Sequence, residues 1–165
     1  MKQSPQDRAQ RERLESSRFS ADGFMGTDRR PVDRIVADDG AVLRRHGISA
    51  ATIAHRLRAI DDMARAAQGA PVPVADDVTA IHYEAMGRIP SPFPGDGVFP
   101  KGETRITWHD GRCLRVTKLG IALIERRGFF QGRGSPYRIE PELAAALPAV
   151  SPGHAGEHAP DSDTR

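Results

Sequence analysis

The chain of 165 residues has one cysteine, Cys113, which excludes an intramolecular disulfide and any metal site built from several thiolates. Aromatics make up only 5% of it, and a hydrophobic content of 38% is low for a compact chain of this length. Solvated tails around a core of roughly 120 residues are the expected consequence. Its apolar runs, such as GIALI at 120–124, are far too short to span a bilayer. The opening residues, rich in Gln, Arg, Ser and Glu, do not resemble a signal peptide. A cytoplasmic location with no membrane partner is expected. Lysine is scarce as well: of 24 basic residues all but three are Arg, in a composition rich in Ala, Gly and Pro, so Arg abundance alone says little about function.

What charge there is lies unevenly. Residues 101–139 hold nine basic and three acidic residues, whereas 140–165 hold one basic and five acidic. The basic half of the core favours an anionic partner.

Residues 1–22 are charged, carry little apolar surface, and are expected to be disordered or loosely helical; 148–165 is a disordered tail by composition. Between them a single α+β domain is expected over 23–147. It has an N-terminal helical hairpin at 30–68, then a small antiparallel sheet with a packed helix at 72–147. The first helix spans about 30–46, with Thr27 or Asp28 as cap, Pro31 in its first turn and Gly47 as left-handed exit. Ser49 caps a second helix at 50–68, and the pair forms either an antiparallel hairpin or a sharper helix-turn-helix corner.

Beyond residue 70, Pro/Gly-rich loops flank a strand at 78–86. TRITWHDGRCLRVT (104–117) predicts a β-hairpin with Asp110-Gly111 as a two-residue turn, which sets Trp108 opposite Cys113 and Ile106 opposite Arg115. Thr117 caps a helix at 118–127 that is apolar around most of its circumference and therefore buried. A short strand at 136–139 and a helix at 141–147 close the ordered region.

Most chemical motifs fail. The helix-turn-helix pattern LRRHGISAATIAHRL runs into a second helix whose Asp61 and Asp62 cancel two of Arg56, Arg58 and Arg65, which leaves little positive charge for a DNA-reading helix, so a structural hairpin is the expected role. HYE at 82–84 lacks the two cysteines that deaminase zinc chemistry requires, so His82 and Glu84 are expected to be solvated surface. GDGVFPKGET lacks phosphate-loop spacing. Cys113 is expected to be a half-buried packing residue, and Ser135 has no base near it in sequence. No cofactor, metal or catalytic group is expected.

RRGFFQGRGSPYR (126–138) remains. Gly128 and Phe129 are expected to end the preceding helix in a Schellman cap, with Phe129 folding back on Ile124. QGRGS has no such structural account. Gly132 and Gly134 flank Arg133 in a way that suits a concavity of backbone N–H groups binding an anion. The candidate anion or nucleic-acid site is therefore Arg115, Arg126, Arg127, Gly132, Arg133, Gly134, Tyr137 and Arg138, with Tyr137 or Phe130 as a stacking ring. The stretches FMGTDRRPVDRIVADDG, GISAATIAHRL and above all GFFQGRGSPYRIEP resemble a group of small bacterial proteins sharing a GFF-x-G-[KR]-GSP-[FY]-R-like segment. The resemblance implies one bacterial domain and brings no activity, cofactor or partner with it. The expected function is a non-enzymatic binding module whose basic half contacts nucleic acid or another anion. The alternative is a protein-interaction or homodimerisation domain docking through the helical hairpin, and a small enzyme comes third.

Overall fold

The computed structural model describes residues 5–15 and 23–150; the expected tail from 151 onward lies outside them. Five helices and six strands follow in the order α1 (Pro5–Leu14), α2 (Val32–Arg45), α3 (Ala50–Ala66), β1 (Val72–Ala75), β2 (Val78–Tyr83), β3 (Arg88–Pro90), β4 (Val98–Pro100), β5 (Glu103–Trp108), β6 (Cys113–Thr117), α4 (Lys118–Arg127) and α5 (Pro141–Ala145). This is an α+β fold. β1, β2, β5 and β6 form one antiparallel sheet in that order, and β3 with β4 forms a two-stranded ribbon inside what the sequence marks as loop.

The helix boundaries follow local chemistry. Ser49 accepts from Thr52 N–H at 3.1 Å and caps α3, and Thr117 accepts from Gly120 N–H at 2.9 Å and caps α4. Gly47, at φ +64°, lets the chain leave α2. The start of α2 differs from expectation. No side chain caps it, and Asp28 instead accepts from the N–H and guanidinium of Arg30. α2 packs mainly on α5 and α3 on α4 and β2, so the pair opens into the corner arrangement.

The β5–β6 hairpin has a three-residue loop, and its register moves by one. Trp108 N–H bonds to Arg112 O, Asp110 takes the Arg112 N–H, and Gly111 sits at φ +89°. Thr107 therefore faces Cys113, and Ile106 faces Leu114, in place of the expected Trp108–Cys113 and Ile106–Arg115 pairs. A one-residue slip turns every side chain of a strand to the other face. Ile106, Trp108, Leu114 and Val116 thus all point into the core, and Arg105, Cys113 and Arg115 point away from it. Cys113 is exposed.

Two hydrophobic cores result, and α4 lies between them. Ile121, Ile124 and Phe130 belong with α3 and the sheet; Leu119, Leu123 and Phe129 belong with Leu14, Phe24, Ile35 and Phe93. That is why α4 is apolar all round. Gly128 ends it at φ +62° with its N–H on Ile124 O at 2.8 Å. Phe129 turns to the second core, away from the cluster that holds Ile124. Residues 136–139 form a turn and an extended stretch, not the expected strand, because their backbone serves the local loop: Arg138 N–H bonds to Ser135 O and Ile139 N–H to Phe130 O.

Candidate functional site

The structure divides the sequence-predicted site among separate places. Arg126 and Arg127, at the end of α4, both turn to Asp96. Arg126 donates to its carbonyl at 2.7 Å and Arg127 to its carboxylate at 3.0 Å. Their guanidinium groups lie over Phe99 and Phe93, with carbon-to-centroid distances of 5.8 and 5.0 Å. They pin the loop after β3 to α4.

Gly132 and Gly134 are packed backbone to backbone against residues 24–27. Gly132 N–H donates to Phe24 O at 2.8 Å, and Thr27 N–H donates to Arg133 O at 2.9 Å. A Cβ on Gly132 would stand 2.3 Å from Met25 O, and one on Gly134 2.7 Å from Thr27 Oγ1. The N–H of Arg133 is bound by the Asp28 carboxylate at 3.1 Å. The N–H groups of Gly132, Arg133 and Ser135, which suggested an anion concavity, are thus engaged by the protein's own carboxylate and carbonyls. The Arg133 side chain is exposed.

Arg138 is interior. Its guanidinium meets Asp39 in a two-pronged pair at 2.8 and 3.0 Å, and it also donates to the Gln131 carbonyl. The side chains are 6% and 5% exposed, so this arginine has no surface to offer a ligand. Phe130 is buried likewise and cannot stack on a base.

Arg115 and Tyr137 stay together, on the face of the sheet that the helices leave uncovered. Tyr83, paired with Glu103 across β2 and β5, and Arg105, paired with Arg115 across β5 and β6, join them there. Arg115 lies 4.3 Å over the Tyr137 ring and Arg105 4.7 Å over the Tyr83 ring. Glu103 accepts from Arg105 Nε at 2.7 Å and from Arg115 Nη2 at 2.7 Å, which ties the two stacks into one row. Arg105 Nη1 and Nη2 have no partner among the described residues. Tyr83 is 43% exposed, and Thr107 and Cys113 continue the open strip. Burial pushes the Glu103 carboxyl up, but hydrogen bonds from Arg115 and Arg105 outweigh it and hold the group ionised below its ordinary value. Tyr137 is pushed up, by burial first and then by the Glu103 charge.

Tyr83 and Arg105 escaped the sequence reading because the assumed hairpin register put Arg115 across from a core residue. The available signal was Asp110 two residues before Arg112, an arrangement that closes a longer loop.

A second polar group lies buried behind this row. Asp61 accepts from Thr104 Oγ1 at 2.6 Å and pairs with Lys118 at 2.9 Å and Arg65 at 3.0 Å. His82, expected at the surface, is 3% exposed on the same side. Burial raises the Asp61 carboxyl, yet Thr104, Lys118 and Arg65 together hold it below its ordinary value. Asp28 is lowered too, chiefly by its hydrogen bond to Arg30. With Asp28, Asp61 and Glu103 all lowered, the unfolded chain binds more protons than the fold as pH falls through the unfolded carboxylate values near about 4. Their contribution is therefore complete above that range and is lost on acidification through the lower folded values. The urea midpoint should drop between neutral pH and about pH 3, and Asp61→Asn should flatten that acid limb. A midpoint independent of pH would show that these pairs add nothing.

Among the described residues no group of three His, Cys, Asp or Glu side chains converges to hold a metal, and no helix is long and apolar enough to cross a membrane. No protein-family model matches the chain, and no curated protein or solved structure matches it.

Proposed function

We propose that the protein is a non-enzymatic binding module that engages an anionic chain, single-stranded nucleic acid first, across the uncovered face of its sheet. The observation that carries this is the Tyr83–Arg105–Glu103–Arg115–Tyr137 row. An open antiparallel face offers successive positions along an extended strand. Its arginines meet phosphates, and its rings and guanidinium planes stack on bases without demanding a sequence. Glu103 holds both arginines in place, so little side-chain freedom is lost on binding.

Fluorescence anisotropy with single-stranded and duplex oligonucleotides across a salt series tests it. Tyr83→Ala should weaken single-strand binding by about 1–3 kcal/mol. Arg105→Ala should reduce the steepness of the log–log salt dependence by roughly 0.7. Arg126→Ala, on another part of the surface, should leave affinity unchanged. Absence of binding at low salt, or equal loss from all three variants, would refute the assignment. A stable dimer in light scattering without oligonucleotide affinity would replace it with a protein-docking role.

A further inference from the structure

The buried side of the same two strands carries a device that the binding reading does not use. His82 pairs with Thr104 across β2 and β5, one position before the Tyr83–Glu103 pair in β2. The two pairs share a backbone but face opposite sides of the sheet. His82 Nδ1 lies 2.8 Å from Thr104 Oγ1, and Thr104 donates its one hydroxyl hydrogen to Asp61 Oδ1. The Thr104 oxygen must therefore accept from the ring, which places the proton of the neutral ring on Nδ1 and leaves Nε2 as its lone pair.

That lone pair is buried and has no hydrogen-bond partner. Glu84 Oε1, another acceptor, stands 3.2 Å away on a side chain that is 79% exposed. Two acceptors at that separation repel until a proton arrives. The surroundings allow no bulkier substitute: a Cβ on Gly102 would come within 3.0 Å of Nε2.

We propose that His82 is a proton-operated switch that tunes anion binding on the sheet face in front of it; this rests on the binding reading above. The charged groups around the ring define its two states. From α3, Asp61 is 3.6 Å from Nδ1, and Arg65 approaches Glu84 at 3.7 Å; from β2 itself comes Glu84. From α4, Lys118 reaches Asp61 and Asp62 at 2.9 and 2.8 Å and so acts on the ring only through them. From β5 comes the neutral hydroxyl of Thr104. Two carboxylates thus face the ring directly, whereas both nearby cations are engaged with carboxylates. Imidazole is the side chain whose ordinary titration falls between about pH 5 and 8. On protonation, Nε2–H donates to Glu84 and draws its carboxylate inward. The segment that follows Tyr83 is then held against the sheet, and one negative charge beside the anion-binding row is neutralised. Acid should tighten anion binding.

Oligonucleotide anisotropy at about pH 8 and 5.5 is the direct test, with His82→Asn and Glu84→Gln beside the unaltered chain. Asparagine retains an N–H for Thr104 but gains no charge, and Glu84→Gln alters an exposed residue that the fold does not need. Affinity of the unaltered chain should rise on acidification on the order of three- to tenfold more than that of either variant. An equal rise in all three, which the exposed histidines alone would produce, overturns the switch. If no oligonucleotide binds at any pH the binding reading fails, and the switch is judged by NMR. The Tyr83 ring and Met86 methyl signals should move with His82 titration, and Glu84→Gln should abolish that movement. Signals that stay still, or that move equally in the variant, overturn it.

Discussion

Arg138→Ala is expected to destabilise the fold by about 3–5 kcal/mol, the usual result of breaking a buried ion pair from one side. Asp39 would be left with a buried, unpaired carboxylate, because both of its oxygens are held by this guanidinium. Burial pulls the Arg138 guanidinium down, but Asp39 and Glu140 together outweigh it and raise it above its ordinary value, so the arginine stays charged. The Gln131 carbonyl, which also accepts from Arg138, would lose its partner with it. Gln131 is buried at φ +71°, an uncommon conformation for a residue other than glycine. Ser135 Oγ donates to its side-chain oxygen at 2.8 Å. Urea titration measures the loss. Replacing both members, Asp39→Leu with Arg138→Met, should recover most of it, since a well-packed apolar pair of similar volume is often as stable as the ion pair. An Arg138→Ala protein of normal stability but impaired nucleic-acid binding would return this residue to the surface role that its charge suggests.

The second large effect is expected at Gly26. Its φ is +54°, and a Cβ there would lie 2.2 Å from Ser135 N and 2.3 Å from the Gly134 carbonyl carbon. The backbone conformation costs an alanine about 1–3 kcal/mol, and overpacking adds about 1–3 kcal/mol. Gly26→Ala should therefore be among the most damaging single-methyl additions in the chain, with loss of the 23–28 contact to 131–135. Gly95, also at positive φ but with nothing within 4 Å, supplies the comparison. Gly95→Ala should show only the conformational part. Equal urea midpoints for the two variants would mean that the close approach of the two loops adds nothing to stability.

These two sites show why the densest part of the sequence misleads. RRGFFQGRGSPYR carries arginines and glycines that suit a loop cradling an anion, and most of its members hold the fold together. The glycines are needed because another backbone runs against them, and that backbone is more than a hundred residues away in sequence. Its anion is Asp28, which no local pattern connects to Arg133. Of the candidate residues in 126–138, the Arg138 side chain is buried, Arg126 and Arg127 are exposed but paired with Asp96, and the Arg133 side chain is exposed.

Helix positions were legible because they rest on local rules. Ser49 and Thr117 cap, Gly47 and Gly128 release the chain, and the 3.6-residue periodicity of α2 and α3 places their buried stripes. The apolar circumference of α4 correctly announced burial, though not that two cores share it. Of the sheet, β2, β5 and β6 were legible as strands and the β5–β6 pair as a hairpin, whereas β1 read as loop and the hairpin's register was off by one. A single residue in the β5–β6 loop decides which side chains face the solvent, and the Asp110–Arg112 hydrogen bonds that set it are made only once the turn closes.

By itself, then, the sequence determined an α+β chain with helices first, a hairpin after them, a buried helix at 118–127, and a basic surplus between 101 and 139. Tertiary structure alone decided which charges are available. Arg138 was drawn inside by Asp39, Arg126 and Arg127 were held by Asp96, and Tyr83 and Arg105 were brought beside Arg115 and Tyr137. The physical reason is that burial and neighbouring charges decide how much of a formal charge a partner can meet, and those neighbours come from distant segments that meet in the folded chain.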